Sequence, residues 1–258
     1  MSKVQDKDEF GNRMKAYEDV TRISVDQTLP IIIRLDGSHF STYVRGCKKP
    51  FDDSLINVMN ETAKYLCAHI HGARMAYVQS DEISILINSY VHSNTQCWFN
   101  GNIQKMASVS AGMASAVFSN LSPQIFGEYK MANFDSRVFN VPKEEVSNLF
   151  LWRQHDAMRN SISSFTRSFF SDKQLFGKNG TEMKQMCIDK GFPWEDINHE
   201  YKMGRVILKE SKEVEMINPH NKELIKVMRG EWIVDNKIPL FSADRFYIER
   251  FTFKEADD

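Results

Sequence analysis

"IIIRLDGSHF" occupies residues 31–40 and changes character halfway along. Ile31, Ile32 and Ile33 are β-branched, follow Pro30 and contain no polar interruption, which predicts a strand buried on both faces. The apolar run then meets Arg34, Leu35, Asp36 and Gly37. An Asp-Gly step at a strand end is by itself an ordinary turn. It becomes a ligand site only where the fold delivers a second acid to the same strand end.

Working outward, residues 8–20 read as a short polar helix, since Phe10, Met14 and Tyr17 recur at helical spacing. "DDSLINVMNETAKYLCAHIHG" (52–72) has Asp52 or Asp53 as N-cap, an apolar stripe from Leu55 to Ile70, and Gly72 to stop it. "ARMAYV" and "EISILIN", separated by "QSD" (79–81), predict a hairpin with polar residues at its tip. "GNIQKMASVSAGMASAVFSNL" (101–121) is a helix rich in Ala and Ser, suited to close packing on a sheet, and "NFDSRVFNVP" (133–142) is a further strand. The order strand, helix, strand, strand, helix, strand is the split βαβ, ferredoxin-like unit. The fold class expected is therefore α+β, with a palm-like part over residues 1–142. A helical-plus-strand extension over 143–258 packs on it without a separable linker. In that extension, 144–170 read as a long helix, 191–204 as loop, "RVILKE" (205–210) as strand, and 214–234 and 246–253 as further strands.

The composition narrows the function classes. The chain has 258 residues, 42% hydrophobic and 26% charged, with 33 Lys plus Arg against 34 Asp plus Glu and a formal charge of −1. That is the profile of a globular protein with a substantial core. A nucleic-acid partner would have to be met by a local basic face, not by net charge. Cys47, Cys67, Cys97 and Cys187 show no C-x-x-C spacing, the N-terminal "MSKVQDKDEF" resembles no leader, and no apolar run approaches the ~18 residues of a membrane span. These features lead to the expectation of a cytoplasmic protein without a membrane partner. Cys67, His69 and His71 sit near one helix end, where histidines suit the helix dipole better than they make a zinc site.

In a ferredoxin-like sheet the first strand lies beside the hairpin of strands two and three, so Asp36 and Asp81 are brought to one strand end. Two neighbouring carboxylates repel, and a divalent cation resolves the conflict. Hard oxygen ligands with open positions for phosphate and water describe a Mg²⁺ site for nucleotide chemistry. Gly37 permits close backbone approach and offers a carbonyl ligand. The N–H groups of Ser38, His39 and Phe40 are placed to cradle a triphosphate. In "CKKPFDD" (47–53), Lys49 can place a charge on phosphate, and Asp52 can cap the following helix or fix that lysine.

"IIIRLDGSHF", "KKPFDD", "AYVQSDEIS", "FDSRV" and "LWRQHDAMRNS" stand in the order found in tRNA-His guanylyltransferases and their reverse-polymerase relatives, which the chain resembles over about residues 30–165. The resemblance implies a polymerase-like palm that extends tRNA at its 5′ end in the 3′-to-5′ direction, using ATP, GTP and other nucleoside triphosphates. It implies two Mg²⁺ ions on Asp36, Gly37 and Asp81. It also implies nucleotide contacts from Asp36, Gly37, Ser38, His39, Phe40, Ser41, Lys49, Asp52, Ser80 and Asp81, and a supporting acid at Glu82, grouped with Asp36 and Asp81 as catalytic. A homo-oligomer, a tetramer, is implied as well. Where eukaryotic members carry H-I-N-N, this chain has "MRNS" (158–161), as in the bacterial and archaeal guanylyltransferase-like proteins that resemble repair polymerases for 5′-truncated tRNA.

Arg159, Ser163 and Arg167 recur every four residues and share one helix face. That face either meets RNA phosphate or carries solvent charges paired with acidic neighbours. Arg137 either steers the tRNA 5′ end or pairs with Asp135, and Trp152 reads better as a buried anchor than as a base-stacking ring. Two other classes remain as alternatives: another two-metal palm enzyme such as a nucleotide cyclase, and a non-catalytic RNA-binding module.

Overall fold

The computed structural model describes residues 3–88, 96–217 and 223–253. Six strands form one sheet: β1 (Ile31–Gly37), β2 (Ala73–Gln79), β3 (Glu82–Ile87), β4 (Phe134–Asn140), β5 (Arg205–Ile217) and β6 (Leu224–Asp235). Their spatial order is β4-β1-β3-β2-β5-β6, every neighbouring pair antiparallel. The helices are α1 (Lys3–Asp19), α2 (Phe40–Tyr43), α3 (Asp53–His69), α4 (Ile103–Leu121), α5 (Pro123–Phe126), α6 (Val146–Arg167), α7 (Asp172–Leu175), α8 (Gly180–Asp189), α9 (His199–Met203) and α10 (Phe246–Phe253). No helix among the described residues is long and apolar enough to cross a membrane.

The isoleucine run behaves as a strand between two layers. Ile31, Ile33 and Leu35 join the core beneath α3 and α4, whereas Ile32 faces the opposite way into the core beneath α6 and α10. Alternation of side chains along a strand makes one apolar run serve both layers. Asp36 continues the even-numbered series and so belongs to the α6 face.

The Ser and Ala content of α4 has a specific use. Ser115 Oγ accepts the N–H of Phe134 at 2.9 Å, Ser119 Oγ accepts that of Ala132 at 2.8 Å, and the Ser110 and Ser136 hydroxyls stand 2.8 Å apart. Small hydroxyl side chains let the helix approach β4 and satisfy backbone groups that a larger apolar residue would leave buried without partners. α3 begins where the cap chemistry places it. Asp52 accepts the N–H groups of Ser54 and Leu55 at 2.9 and 3.2 Å, and that of Lys48 at 2.9 Å.

Three expectations from the sequence need correction. Residues 246–253, expected as a strand, form helix α10, with Tyr247, Ile248 and Thr252 buried at helical spacing. Their aromatic and β-branched content favours a strand, and packing against the α6-side core overrides it. The stretch 191–204, expected as loop, contains a 3₁₀ turn at Trp194–Asp196 and helix α9. The strand expected at 205–210 runs on to Ile217, and the strands expected within 214–234 are the end of β5 and most of β6, with 218–222 outside the described residues. Beyond Leu208, β5 pairs with β6 alone, so the two strands leave the sheet as a ribbon.

Phe118 of α4 is fully buried among Phe40, Tyr43 and Phe134, with ring centroids 5.3, 5.9 and 5.5 Å away. Phe118→Ala is expected to lower unfolding free energy by about 3–5 kcal/mol, read by urea denaturation. A loss under about 1 kcal/mol would contradict this packing.

Candidate active site

The register of β1 concentrates negative charge at one end of the sheet. Asp36 lies directly opposite Glu82 of β3 on one side and Asp135 of β4 on the other. The two-residue turn after β2 then adds Asp81, whose carbonyl accepts the Gly37 N–H at 3.2 Å. Like charges directly opposite one another destabilise a sheet unless each is compensated.

Two of the four acids have cationic partners. Glu82 is nearly fully buried and receives a bidentate fork from Arg153 of α6, at 2.8 Å from Nε and 2.7 Å from Nη2, with Ser84 Oγ donating at 3.0 Å. Arg153 also reaches Asp156 at 2.7 Å, and Asp156 holds Arg159 at 2.8 Å. The exposed Asp135 faces Arg137 at 3.9 Å.

Asp36 and Asp81 form no ion pair among the described residues. Burial, and then the nearby Asp135, push the Asp36 carboxyl above the ordinary carboxylate range, against the pull of Arg137, Arg34 and Arg153. Burial raises Asp81 as well, with Asp36 and Glu82 adding to the effect, while a 2.9 Å hydrogen bond from Ser80 Oγ opposes it. Charge here is under-compensated, and its donors are all hard oxygen: two carboxylates and the Gly37 carbonyl. That set suits Mg²⁺. Among the described residues no cluster of three or more His, Cys, Asp or Glu side chains is arranged to hold a metal, the Cys67, His69 and His71 group included.

The backbone around these acids is held in uncommon conformations. His39 and Ser80 both have positive φ, 58° and 48°, flanking the two carboxylates in the chain. Non-glycine residues in that region signal local strain that the surroundings must enforce. Gly37 is obligatory, because a Cβ there would lie 2.3 Å from the Phe40 ring. The cradle expected from Ser38 to Phe40 shifts by one residue. Ser38 N–H donates to Asn133 O at 2.8 Å, which leaves His39, Phe40 and Ser41 at the start of α2 with N–H groups that no described residue accepts.

A cavity of about 650 Å³ opens beside this turn, a size usual for small-molecule sites. Of the residues expected to meet a nucleotide, Phe40, Ser41, Lys49, Asp52, Ser80 and Asp81 line it, while Asp36, Gly37, Ser38 and His39 stand at the adjoining strand end. Asp52 is occupied as the α3 cap and forms no ion pair with Lys49. Arg167 lines the far wall and pairs with Asp172 at 3.2 Å, so Arg159 and Arg167 both have acidic neighbours. Trp152, expected as a buried anchor, is half exposed, with the Arg34 and Arg153 guanidinium groups 5.8 and 4.4 Å from its ring. The buried positions of α6 at Phe150, Arg153 and Ala157 pass it by.

Sequence reading did not assign Arg153, Asp156 or the α6 wall at Asn160, Ser161 and Ser164. The signal was present in the i, i+3, i+6 charge alternation of Arg153, Asp156 and Arg159, but nothing local shows that the first of these turns inward.

Comparison with known proteins gives four findings. A family model described as Thg1, tRNAHis guanylyltransferase, matches residues 11–142. A bacterial tRNA(His) guanylyltransferase (Thg1)-like protein in complex with ATP is 42% identical with a TM-score of 0.85, covering 95% of this chain and 99% of that one. A structure with the same description in complex with GTP is 41% identical with a TM-score of 0.81, covering 95% and 100%. The tRNA(His) guanylyltransferase of Debaryomyces hansenii is 24% identical over 85% of this chain and 89% of its own.

Removing one partner of the Glu82–Arg153 pair leaves a buried charge without its counter-ion. Arg153→Met is expected to cost about 3–5 kcal/mol in urea unfolding, and adding Glu82→Gln should recover most of that loss. A double variant no more stable than Arg153→Met would show that the two residues are not coupled.

Proposed function

This chain belongs to the tRNA-His guanylyltransferase family, and we propose that the end of β1 and the β2–β3 turn form its reaction centre. It is a nucleotidyltransferase that adds nucleotides to tRNA in the 3′-to-5′ direction, with ATP and GTP as its nucleotides. The observation that carries the assignment of the centre is the pair Asp36 and Asp81, under-compensated in charge, beside a cavity of nucleotide size.

In this reading the strand order β4-β1-β3-β2 is a ferredoxin-like polymerase palm within residues 1–142, and 143–258 form an extension on it. Asp36, Asp81 and the Gly37 carbonyl would hold two Mg²⁺ ions. When bound, these neutralise phosphate charge and stabilise the attacking and leaving oxygens. The chain itself does the positioning on which phosphoryl transfer depends. The N–H groups of His39, Phe40 and Ser41 face phosphate oxygens, with Lys49 adding charge from the cavity wall. Ser80 Oγ, bonded to Asp81 Oδ1, keeps that carboxylate turned toward the site. Glu82 acts through Arg153, tying α6 to the sheet so that the cavity keeps its shape. Arg137, Arg159 and Arg167 are exposed on the flanking elements, and they contact RNA by exchanging a surface carboxylate for a phosphate. The "MRNS" segment supports templated repair of 5′-truncated tRNA over dedicated addition of G to tRNA-His.

The assay is addition to a tRNA lacking its first nucleotide, in Mg²⁺, ATP and labelled nucleoside triphosphates. Asp36→Ala and Asp81→Ala are each expected to lower addition by roughly 100-fold or more while leaving the fold intact by circular dichroism. Near-full activity in either variant would overturn the assignment, and cyclic product from nucleotide alone would favour the cyclase reading.

The β5–β6 ribbon exposes Val214, Ile217, Leu224 and Met228. Exposed apolar surface on an otherwise polar ribbon supports a homotetramer in which the ribbon is covered by another copy. Light scattering should give a tetramer mass, and Leu224→Glu with Met228→Glu should give a smaller species. A monomer for the unaltered protein would refute this.

A further inference from the structure

Trp152 of α6 is half exposed, although the helix buries Phe150, Arg153 and Ala157 on either side of it. A large aromatic ring left in solvent keeps much apolar area in water, which is unfavourable until something covers it. The ring is nevertheless held in place. The Arg153 guanidinium lies over it at 4.4 Å, and Arg153 is itself fixed by Glu82 and Asp156. The Arg34 guanidinium of β1 lies 5.8 Å from the ring centroid. An exposed ring bracketed by guanidinium groups is a preorganised surface, not a loose side chain.

Its place beside the reaction centre limits what can cover it. Arg34 and Arg153, which bracket the ring, both act electrostatically on the Asp36 carboxyl. The α6 residues that line the nucleotide cavity lie farther along the helix, from Ala157 to Arg167. Nucleotide addition brings two substrates to one centre, and the nucleotide takes the cavity. The RNA end is left with the side on which Trp152 stands. That side also carries positive charge, because Arg34 lies directly opposite Arg137 in the β1–β4 register. Like charges so placed are unfavourable in a sheet, and a polyanion relieves them.

We propose that Trp152 is a positioning residue on which the 5′-terminal base of the tRNA stacks, setting that end beside Asp36. Every base has a π face, so stacking holds the RNA end without reading its sequence. Templated repair requires this indifference, since the terminal nucleotide of a truncated tRNA varies with the length lost. Hydrogen bonds to a base edge would favour one base, and a ring does not. This assignment rests on the placing of the reaction centre at Asp36 and Asp81.

The test is binding of the full chain, by fluorescence anisotropy, to a 3′-labelled tRNA lacking its first nucleotide. The same RNA made abasic at its 5′ terminus is titrated beside it. Loss of the base should weaken binding to the unaltered protein by roughly tenfold. Trp152→Ala should weaken the intact RNA by roughly the same factor and the abasic RNA by less than about twofold. Trp152→Phe should keep the affinity within about threefold, and Trp152→Leu should not. Urea unfolding midpoints should match the unaltered protein, as expected at a half-exposed position. Equal weakening of both RNAs by Trp152→Ala would overturn the proposal, because it marks a structural role for the ring. So would an unchanged affinity of Trp152→Ala for the intact RNA, or full rescue by leucine. The reaction centre fails separately, through full activity of Asp36→Ala in the addition assay.

Discussion

The antiparallel pairing of β1 with β3, in the register that sets Asp36 against Glu82, is the constraint on which the rest of the site depends. A slip of one residue would turn Asp36 into the α3 core and the isoleucines to the wrong layers. The fully buried Ile31, Ile32 and Ile33 make such a slip prohibitively costly. The apolar half of the strand therefore holds the polar half in place. Once it does, acids from three chain segments crowd together, and the fold has to deal with their mutual repulsion.

It does so unequally. Glu82 is neutralised by a bidentate arginine in a buried setting, and Asp135 by an exposed arginine at longer range. Asp36 and Asp81 are left with raised proton affinity and, among the described residues, no ion-pair partner of their own. A buried pair such as Glu82–Arg153 adds little net stability over an apolar alternative. Its value here is geometric: it fixes where α6 lies on the sheet, and α6 forms one wall of the cavity. The structure thus separates an acid that organises the site from acids available to a ligand, although Asp81 and Glu82 are adjacent in the chain.

The same logic runs through the far wall. Arg205 is buried with an unused donor, and Asp36 and Asp81 are part-buried with raised proton affinity. Each is unfavourable in the free protein and becomes favourable only when a complementary group arrives.

Much of this was legible in the amino-acid sequence, because the signals are local. Three consecutive isoleucines specify a buried strand, Asp52 specifies a helix start, and "QSD" between apolar runs specifies a hairpin tip. The pairing of Asp36 with Asp81 followed from strand order alone. The failures share a cause. Whether residues 246–253 fold as strand or helix depends on the core they meet, and whether Trp152 or Arg153 turns inward depends on what lies beneath α6. The cradle's shift away from Ser38 depends on a carbonyl from Asn133, far along the chain. The place of Arg205 in the cavity wall depends on β5 joining the sheet beside β2. Periodicity and capping are carried by neighbours in sequence, and the sequence determines them. Compensation of charge is carried by neighbours in space, and only the tertiary structure decides which acid receives an arginine and which is left for a ligand.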